Sequence, residues 1–331
     1  MSGVSDLANL ERWLLWDAHA GFESWPHTDL NCLQQWRTAG VGYLSLNVGY
    51  DVQPWHNTIA VLAAYRRWIG ASDHYELTGT VGEVRAAHAA GRMAVAFDLE
   101  GMTALNGSLD LLHLYHELGV RQIAIAYNRN NAAGGGCHDT DDGLTPFGRQ
   151  AVREMQALGM LVDCSHTGYR TSMEVMALAS RPVIFSHSNP RALRDHERNI
   201  LDEQARACAA TGGVVGVNGI GLFLGEDDIR TTRMADHVDY YLDLVGPEHV
   251  GLGLDYFPPT TSDNDEGFNA VLAENADYWP PTQYPGGEVR CAHPNQLRPL
   301  AHELFARGHA ASTVMQVLGE NFARVAEDTW G

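Results

Sequence analysis

Eight short apolar runs rich in β-branched residues recur along the chain with helix-like segments between them, and this repeat constrains the fold more than any other feature. The runs are LLWDAH (14–19), VGYLSLNVG (41–49), MAVAFDLE (93–100), VRQIAIAYN (120–128), MLVDCSH (160–166), PVIFSHS (182–188), GVVGVNG (213–219) and VGLGLDY (250–256). They are near-continuous rather than strictly alternating, the pattern of strands covered on both faces by helices. TVGEVRAAHAAG, LDLLHLYHELG, TPFGRQAVREMQALG and MADHVDYYLDLVG lie between them, each amphipathic and ended by glycine. Pro146 near the start of the third and Gly159 after its end follow the usual helix asymmetry. Eight β-α repeats predict a single (β/α)8 TIM-like barrel of the α/β class over residues 1–331, with no linker that would divide it. Two segments exceed a minimal barrel: an insertion at about 50–80 containing IAVLAAYRRWI, and a Pro/Asn/Asp-rich stretch at about 257–297, expected to act as a lid.

Charge narrows the function classes. The chain carries 22 basic against 41 acidic residues, net −19, with no basic cluster, so nucleic acids and anionic membrane surfaces are excluded as partners. A composition 45 % hydrophobic and 19 % charged belongs to a folded chain with a sizeable core. The opening MSGVSDLANLERWLLWDAH lacks the pattern of a signal peptide. The Gly-rich uncharged stretch 212–225 is shorter than the roughly 18–20 apolar residues of a membrane span. Five widely spaced cysteines without C-x-x-C indicate neither a disulfide framework nor a zinc knuckle, and a cytoplasmic location is expected.

In a barrel of this kind the chemistry sits where the strands finish. The runs end on His19, Asn47, Glu100, Tyr127 with Asn128, His166, His187, Asn218 and Asp255. Three imidazoles and two carboxylates at one mouth are an N/O ligand set suited to zinc or another divalent ion, and five groups exceed one tetrahedral site. A paired site with Glu100 as the bridge could acidify a water on one metal and polarise a carbonyl with the other, which points to amide or ester hydrolysis. Each residue has a plainer reading: a lone histidine as a hydrogen-bonded core residue, Asp255 as a helix cap, Arg198 as an exposed loop arginine with Arg191 and Arg194 beside it, and Cys137 with His138 as a free polar loop pair. The glycines of GGVVGVNGIG and VGLGLD also fit a barrel phosphate site, which would leave His166 and His187 unexplained.

Several segments together resemble the membrane (renal) dipeptidase family of zinc metallopeptidases in the amidohydrolase superfamily: the Glu-Gly of DLEG (98–101), DGLTPFGRQAVREMQALGMLVDCSH (142–166), PVIFSHS (182–188), the Arg-Asn of HERNI (196–200), VGLGLDY (250–256) and GENFARV (319–325). The resemblance implies a zinc-dependent dipeptidase, one or two ions per chain, acting on a small-molecule dipeptide and forming a homodimer. It implies that Glu100 bridges two zinc ions, His166 and His187 complete one site, and His19 and Asp255 serve the other. Asp255 would also shuttle a proton, and Arg198 would hold the substrate carboxylate. Tyr127 stands where the family places a histidine toward the oxyanion, with Asn128 beside it as a substrate contact. Two departures follow. DAHAGF has Gly21 where the family has a ligating aspartate, with neither Asp17 nor Glu23 placed to replace it, and Tyr127 can donate a hydrogen bond but carries no positive charge. They keep open a diverged enzyme acting on another carboxylate-bearing amide or a lactone with a single metal, and, less favoured, a non-catalytic binder.

Overall fold

The computed structural model describes residues 10–21, 24–258, 271–286 and 289–330. Its sheet comprises β1 (Leu15–Ala20), β2 (Val41–Tyr50), β3 (Tyr75–Leu77), β4 (Met93–Glu100), β5 (Val120–Ala124), β6 (Leu161–Asp163), β7 (Val183–Phe185), β8 (Val214–Val217) and β9 (Val250–Leu252). The order β1-β2-β4-β5-β6-β7-β8-β9 follows the chain, and all neighbours are parallel. These eight strands match the eight apolar runs, and with helices between them they make a nearly closed (β/α)8 TIM-like barrel. Strand β3 is an addition: it lies in the 50–80 insertion and pairs with the start of β4 through Tyr75 opposite Met93. IAVLAAYRRWI falls in the helix Asn57–Gly70.

The seam between β9 and β1 is drawn together by hydrogen bonds just past the strands. The Asp255 amide donates to the His19 carbonyl (3.0 Å). The Leu254 amide donates to one oxygen of Asp17 and the Trp36 indole to the other, both at 2.8 Å. Burial lifts the Asp17 carboxyl to about 6, against the lowering effect of these two donors. Asp17 is therefore a seam residue, as its strand position suggested, and it does not stand in for a ligand at residue 21.

Alternation along β4 separates the two faces of the barrel wall. Met93, Val95, Phe97 and Leu99 join the large core under the outer helices, while Ala94 and Ala96 join the interior cluster. Asp98 and Glu100 continue that inner row toward the C-terminal mouth, because side chains two apart share a face. The interior below is closed by the helix Asn321–Trp330, whose Phe322 is buried with Trp16, Tyr43 and Val214. A Cβ at Gly251 would collide with the Phe322 ring, and one at Gly216 would meet it at 3.2 Å. Gly251 thus makes room for an aromatic plug, while a Cβ at Gly216 would first strike the Ser186 carbonyl oxygen at 2.0 Å, so both glycines answer to close packing.

Helix ends follow local chemistry. Thr80 and Glu83 form a capping box at Val81–Ala89, and Thr145 caps Pro146–Leu158, which closes at Gly159 in the left-handed region (φ 78). Among the described residues no helix is long and apolar enough to cross a membrane.

Candidate metal centre

The hydrogen-bonded ladder stops short of several apolar runs, so His166 and His187 lie in the turns beyond β6 and β7 and not in the strands themselves. Glu100 is the last residue of β4. His19 is re-aimed by a register shift of β1 against β2 between Asp17 and Ala20, the kind of local irregularity that turns a side chain toward a barrel rim. His166 (φ 63), Asp255 (φ 54) and Asn128 (φ 59) are three of the six non-glycine residues with positive φ among those described. That conformation is disfavoured for residues with a Cβ and persists where the surroundings over-determine it.

The side chains converge on one point. Glu100 Oε1 lies 3.0 Å from His166 Nε2, 3.4 Å from His187 Nε2 and 3.5 Å from His19 Nε2. The two histidine Nε2 atoms of 166 and 187 are 3.0 Å apart, and the rings of His19 and His187 stack at 4.0 Å. Asp255 Oδ1 is 3.5 Å from His19 Nε2, and its Oδ2 is 4.0 Å from His187 Nε2. Two donor groups result, Glu100/His166/His187 and His19/His187/Asp255, each with ligand atoms within 4.8 Å of one another. His187 is common to both, a sharing absent from the assignment drawn by resemblance. All five residues are buried.

Partners behind the cluster set which nitrogen faces inward. Asp98 Oδ1 stands 3.3 Å from His19 Nδ1, and Asp98 is itself held by Ser45 (2.7 Å) and Asn47 (3.1 Å). Ser186 Oγ lies 2.6 Å from His187 Nδ1 and donates to Asp163, so it accepts from Nδ1–H. Asn128 donates through Nδ2 to the Tyr278 carbonyl (2.9 Å), which turns its Oδ1 to accept from His166 Nδ1–H at 2.7 Å. For His187 and His166 this leaves the Nε2 lone pair to the centre, the arrangement metal-binding histidines adopt. Asn218 donates to Asp255 Oδ2 (2.9 Å), and Asn47 reaches Glu100 Oε2 (3.3 Å).

Burial pushes the Glu100 carboxyl up to about 8 and raises that of Asp255. His19 feels the same burial, which disfavours its charge, yet Glu100, Asp98 and Asp255 outweigh it and hold the imidazole well above its ordinary range. His166 and His187 are held well below theirs, by burial first, then by Arg198 and His19. Neither ring nitrogen of His19 makes a well-formed hydrogen bond. A buried cluster of two carboxyl groups, two imidazoles held neutral and a histidine whose ring nitrogens lack well-formed hydrogen bonds is an N/O donor set that a divalent transition ion fits.

Around the cluster the structure differs from several sequence expectations. Arg198 is buried, 2 % exposed, and donates to the Ser188 hydroxyl (3.0 Å) and the His187 carbonyl (2.8 Å), so it is no exposed loop arginine. Its Nε is 3.0 Å from His166 Nδ1, a contact that loses its acceptor once Nδ1 carries the proton given to Asn128. Both ends of the Asn128 amide are engaged by protein groups, which suits positioning of His166 more than contact with a substrate. The Tyr127 ring stacks on His166 at 4.3 Å. His138 is no free loop residue: it is enclosed between Glu197 (2.9 Å) and Tyr284 (3.0 Å) and belongs to neither donor group, while Cys137 Sγ reaches Asn128 Oδ1 at 3.5 Å.

Of the lid expected at 257–297, residues 259–270 and 287–288 lie outside the described residues, as does Glu23. The described part, 271–286, covers the mouth. Trp279 meets Tyr127 edge-on at 5.9 Å, the Tyr278 hydroxyl donates to the Asp51 carbonyl (3.3 Å), and His196 reaches the Gln283 carbonyl (3.1 Å). Asp51, unremarked in the sequence, accepts from the Thr103 amide (2.8 Å), the Tyr127 amide (3.1 Å) and Asn131 (2.8 Å), and so joins three loops of the rim. Asp98 had a sequence signal, its spacing of two from Glu100. Ser186 adjoins His187 in the chain, whereas Asp163 and Asp51 had no signal, since the residues they hold in place lie far along the chain.

A parallel α/β barrel with buried histidines and carboxylates at its C-terminal mouth defines a class of metal-dependent barrel proteins. The chain belongs to the membrane dipeptidase family: residues 26–274 match the family described as Membrane dipeptidase (Peptidase family M19). It is 38 % identical over 176 residues to an uncharacterized dipeptidase of Schizosaccharomyces pombe, covering 50 % of this chain and 42 % of that protein. It is 32 % identical over 247 residues to a dipeptidase of Clonostachys rogersoniana, covering 70 % of this chain and 63 % of that protein. The chain thus aligns with less than two thirds of the length of these curated relatives. Among solved structures it resembles an amidohydrolase from Pseudomonas aeruginosa with a TM-score of 0.87 and 26 % identity, over 98 % of this chain and 99 % of that one. A metallopeptidase from Rhodobacter sphaeroides, liganded with a phosphinate mimic of the dipeptide L-Ala-D-Ala, shares the fold with a TM-score of 0.76 and 23 % identity, over 96 % of this chain and 99 % of that one.

Proposed function

We propose that this protein is a metal-dependent dipeptidase that hydrolyses the peptide bond of a small dipeptide, with zinc as its ion. The observation that carries the reading is the convergence of three buried imidazole Nε2 atoms on Glu100 Oε1 at 3.0–3.5 Å, with Asp255 beside them. Glu100, His166 and His187 would hold one ion, and His19, His187 and Asp255 a second. A bound divalent ion supplies an acidified water and a polarising charge for the scissile carbonyl.

The chain's own groups do the rest. Arg198, freed at Nε when His166 Nδ1 donates to Asn128, binds the substrate's carboxylate as a planar cation. Tyr127 keeps its proton, because burial and then Glu100 hold its hydroxyl well above the ordinary range, and donates toward the developing oxyanion. Asp255 takes the proton of the attacking water and returns it to the amide nitrogen as the C–N bond breaks and the new C–O bond forms. Trp279 and the rest of 271–286 exclude bulk water from the mouth. The five cysteines are unpaired, in keeping with a reducing compartment such as the cytoplasm.

One observation favours a second reading, an amidohydrolase acting on another carboxylate-bearing amide or a lactone: an uncharged Tyr127 ring stacked on His166. A panel of L,L- and L,D-dipeptides, with N-acyl amino acids and lactones alongside, assayed with zinc and after chelation, tests both. Zinc-dependent turnover of dipeptides supports the first reading, and turnover confined to the other compounds replaces it with the second.

A further inference from the structure

We propose that the mouth carries an apolar acyl subsite, walled by the rings of Tyr50, Tyr127 and Trp279, which selects dipeptides whose N-terminal residue bears a large uncharged apolar side chain. The inference rests on the dipeptidase reading above and names the substrate class of that same site. Tyr50 reaches the mouth through a register shift: between Asn47 and Tyr50 the pairing of β2 with β4 slips, and Tyr50 comes to stand opposite Glu100. Paired residues of neighbouring strands share a face, so Tyr50 joins the inner row beside the metal donors. Its ring meets Tyr127 edge-on at 5.4 Å and Trp279 at 6.4 Å, and Trp279 meets Tyr127 at 5.9 Å. Tyr127 stacks in turn on His166 at 4.3 Å, so the aromatic patch runs without a break from the covering segment to a candidate ligand. None of the three rings belongs to either apolar core of the barrel, although Trp279 is only 8 % exposed.

Topology sets the side of the scissile bond. Round the nearly closed order β1-β2-β4-β5-β6-β7-β8-β9, β2 and β7 stand four places apart, on opposite walls. Tyr50 ends β2, while Arg198 follows β7 and is held to the Ser188 hydroxyl and the His187 carbonyl just beyond that strand. A substrate with its carboxylate on Arg198 and its scissile carbonyl at the donor cluster between the two walls therefore extends its acyl half toward Tyr50 and Trp279. Charge on that wall is already engaged. Asp51, next to Tyr50, accepts from Thr103, Asn131 and the Tyr127 amide, Glu100 belongs to the donor cluster, and Arg129 is paired with Asp139 at 2.8 Å. A charged side chain brought there would give up water without a free partner among these groups, whereas an apolar one gains by covering ring surface.

The experiment compares kcat/KM of the zinc-loaded protein for Phe-Ala, Leu-Ala, Gly-Ala, Glu-Ala, Lys-Ala and Ala-Phe, each with the second residue in the L and in the D configuration. Phe-Ala and Leu-Ala should exceed Gly-Ala by about 10–100-fold, the scale of burying one large apolar side chain. Glu-Ala and Lys-Ala should fall at or below Gly-Ala, and Ala-Phe, with the same ring on the other side of the bond, should not share the gain. Tyr50→Ala should narrow the ratio of Phe-Ala to Gly-Ala by about 10-fold, with elemental analysis and circular dichroism checking that zinc and fold are retained. If that variant loses either, Trp279→Ala is read by the same ratio in its place. Wild-type protein that turns over Gly-Ala, Glu-Ala, Lys-Ala or Ala-Phe as well as Phe-Ala, or a folded, zinc-bearing variant with an unmoved ratio, overturns the inference while the dipeptidase reading stands. No zinc-dependent turnover of any dipeptide overturns both.

Discussion

Asn128 Oδ1 lies 2.7 Å from His166 Nδ1, and the Asn128 amide can face only one way because its Nδ2 is spent on the Tyr278 carbonyl. A loop that covers the mouth thereby selects the tautomer of a candidate ligand. Asn128→Leu removes the acceptor and leaves Nδ1 to Arg198, which favours the tautomer with a proton on Nε2. Zinc affinity of the folded protein, measured by chelator competition, should fall by roughly 10–100-fold.

A parallel expectation concerns His187, whose Nδ1 meets Ser186 Oγ at 2.6 Å with Asp163 behind it. Ser186→Ala should lower zinc affinity by about 10–100-fold. Both equivalents should weaken, since His187 belongs to both donor groups, whereas the Asn128 change should affect one. Elemental analysis across a zinc titration distinguishes the two patterns.

Arg198 is expected to act on one end of the substrate. Arg198→Met should lower kcat/KM for a free dipeptide by about 100-fold, the order of one charge-assisted contact worth about 3 kcal/mol. The same peptide with an amidated C-terminus should be turned over poorly by both forms and nearly equally. A similar loss on both peptides would reassign Arg198 to the upkeep of His166 and His187.

His237 lies in the helix Thr231–Val245, away from the centre, with its ring 3.0 Å from the Leu224 carbonyl. Burial lowers its pKa to about 4, against an ordinary value of 6.5. Between those values the unfolded chain binds the proton and the folded one does not, so this group makes stability rise with pH there, and acidification removes it at up to about 1.4 kcal/mol per pH unit. His237→Gln should therefore show a smaller drop in Tm from pH 7 to pH 5 than the wild type. An unchanged pH slope would place the acid sensitivity elsewhere.

Phe322 fills the barrel interior against Gly216 and Gly251 at 1 % exposure. Phe322→Ala should cost about 3–5 kcal/mol by urea unfolding, with zinc stoichiometry retained in the folded fraction. Gly251→Ala should also destabilise, because its added methyl group meets that ring.

Much of the architecture was legible in the chain. The eight apolar runs became the eight strands of the barrel path, because strands buried on both faces advertise themselves by hydrophobicity alone. His19, Glu100, His166, His187 and Asp255 were candidates on their position after those runs, and the structure brings all five to one cluster. Less legible were the features that depend on register and on distant partners. β3 is three residues long with only Tyr75 buried, so it sits in no apolar run. Strict alternation cannot foresee a re-aimed His19, since the register shift in β1 arises from pairing with β2. The burial of Arg198 and the enclosure of His138 came from loops that fold back over the mouth, which no local pattern encodes.

By itself, then, the sequence determined the barrel and the donor types at its strand ends, since hydrophobic periodicity and side-chain chemistry are properties of short stretches. The tertiary structure alone decided which nitrogen His166 and His187 present and that His187 serves two donor groups. It also decided that the space above Gly21 is filled by Asp255, 234 positions along the chain from it. Those outcomes are distances between residues far apart in sequence, and such distances exist only once the sheet has closed and the seam between β9 and β1 has formed.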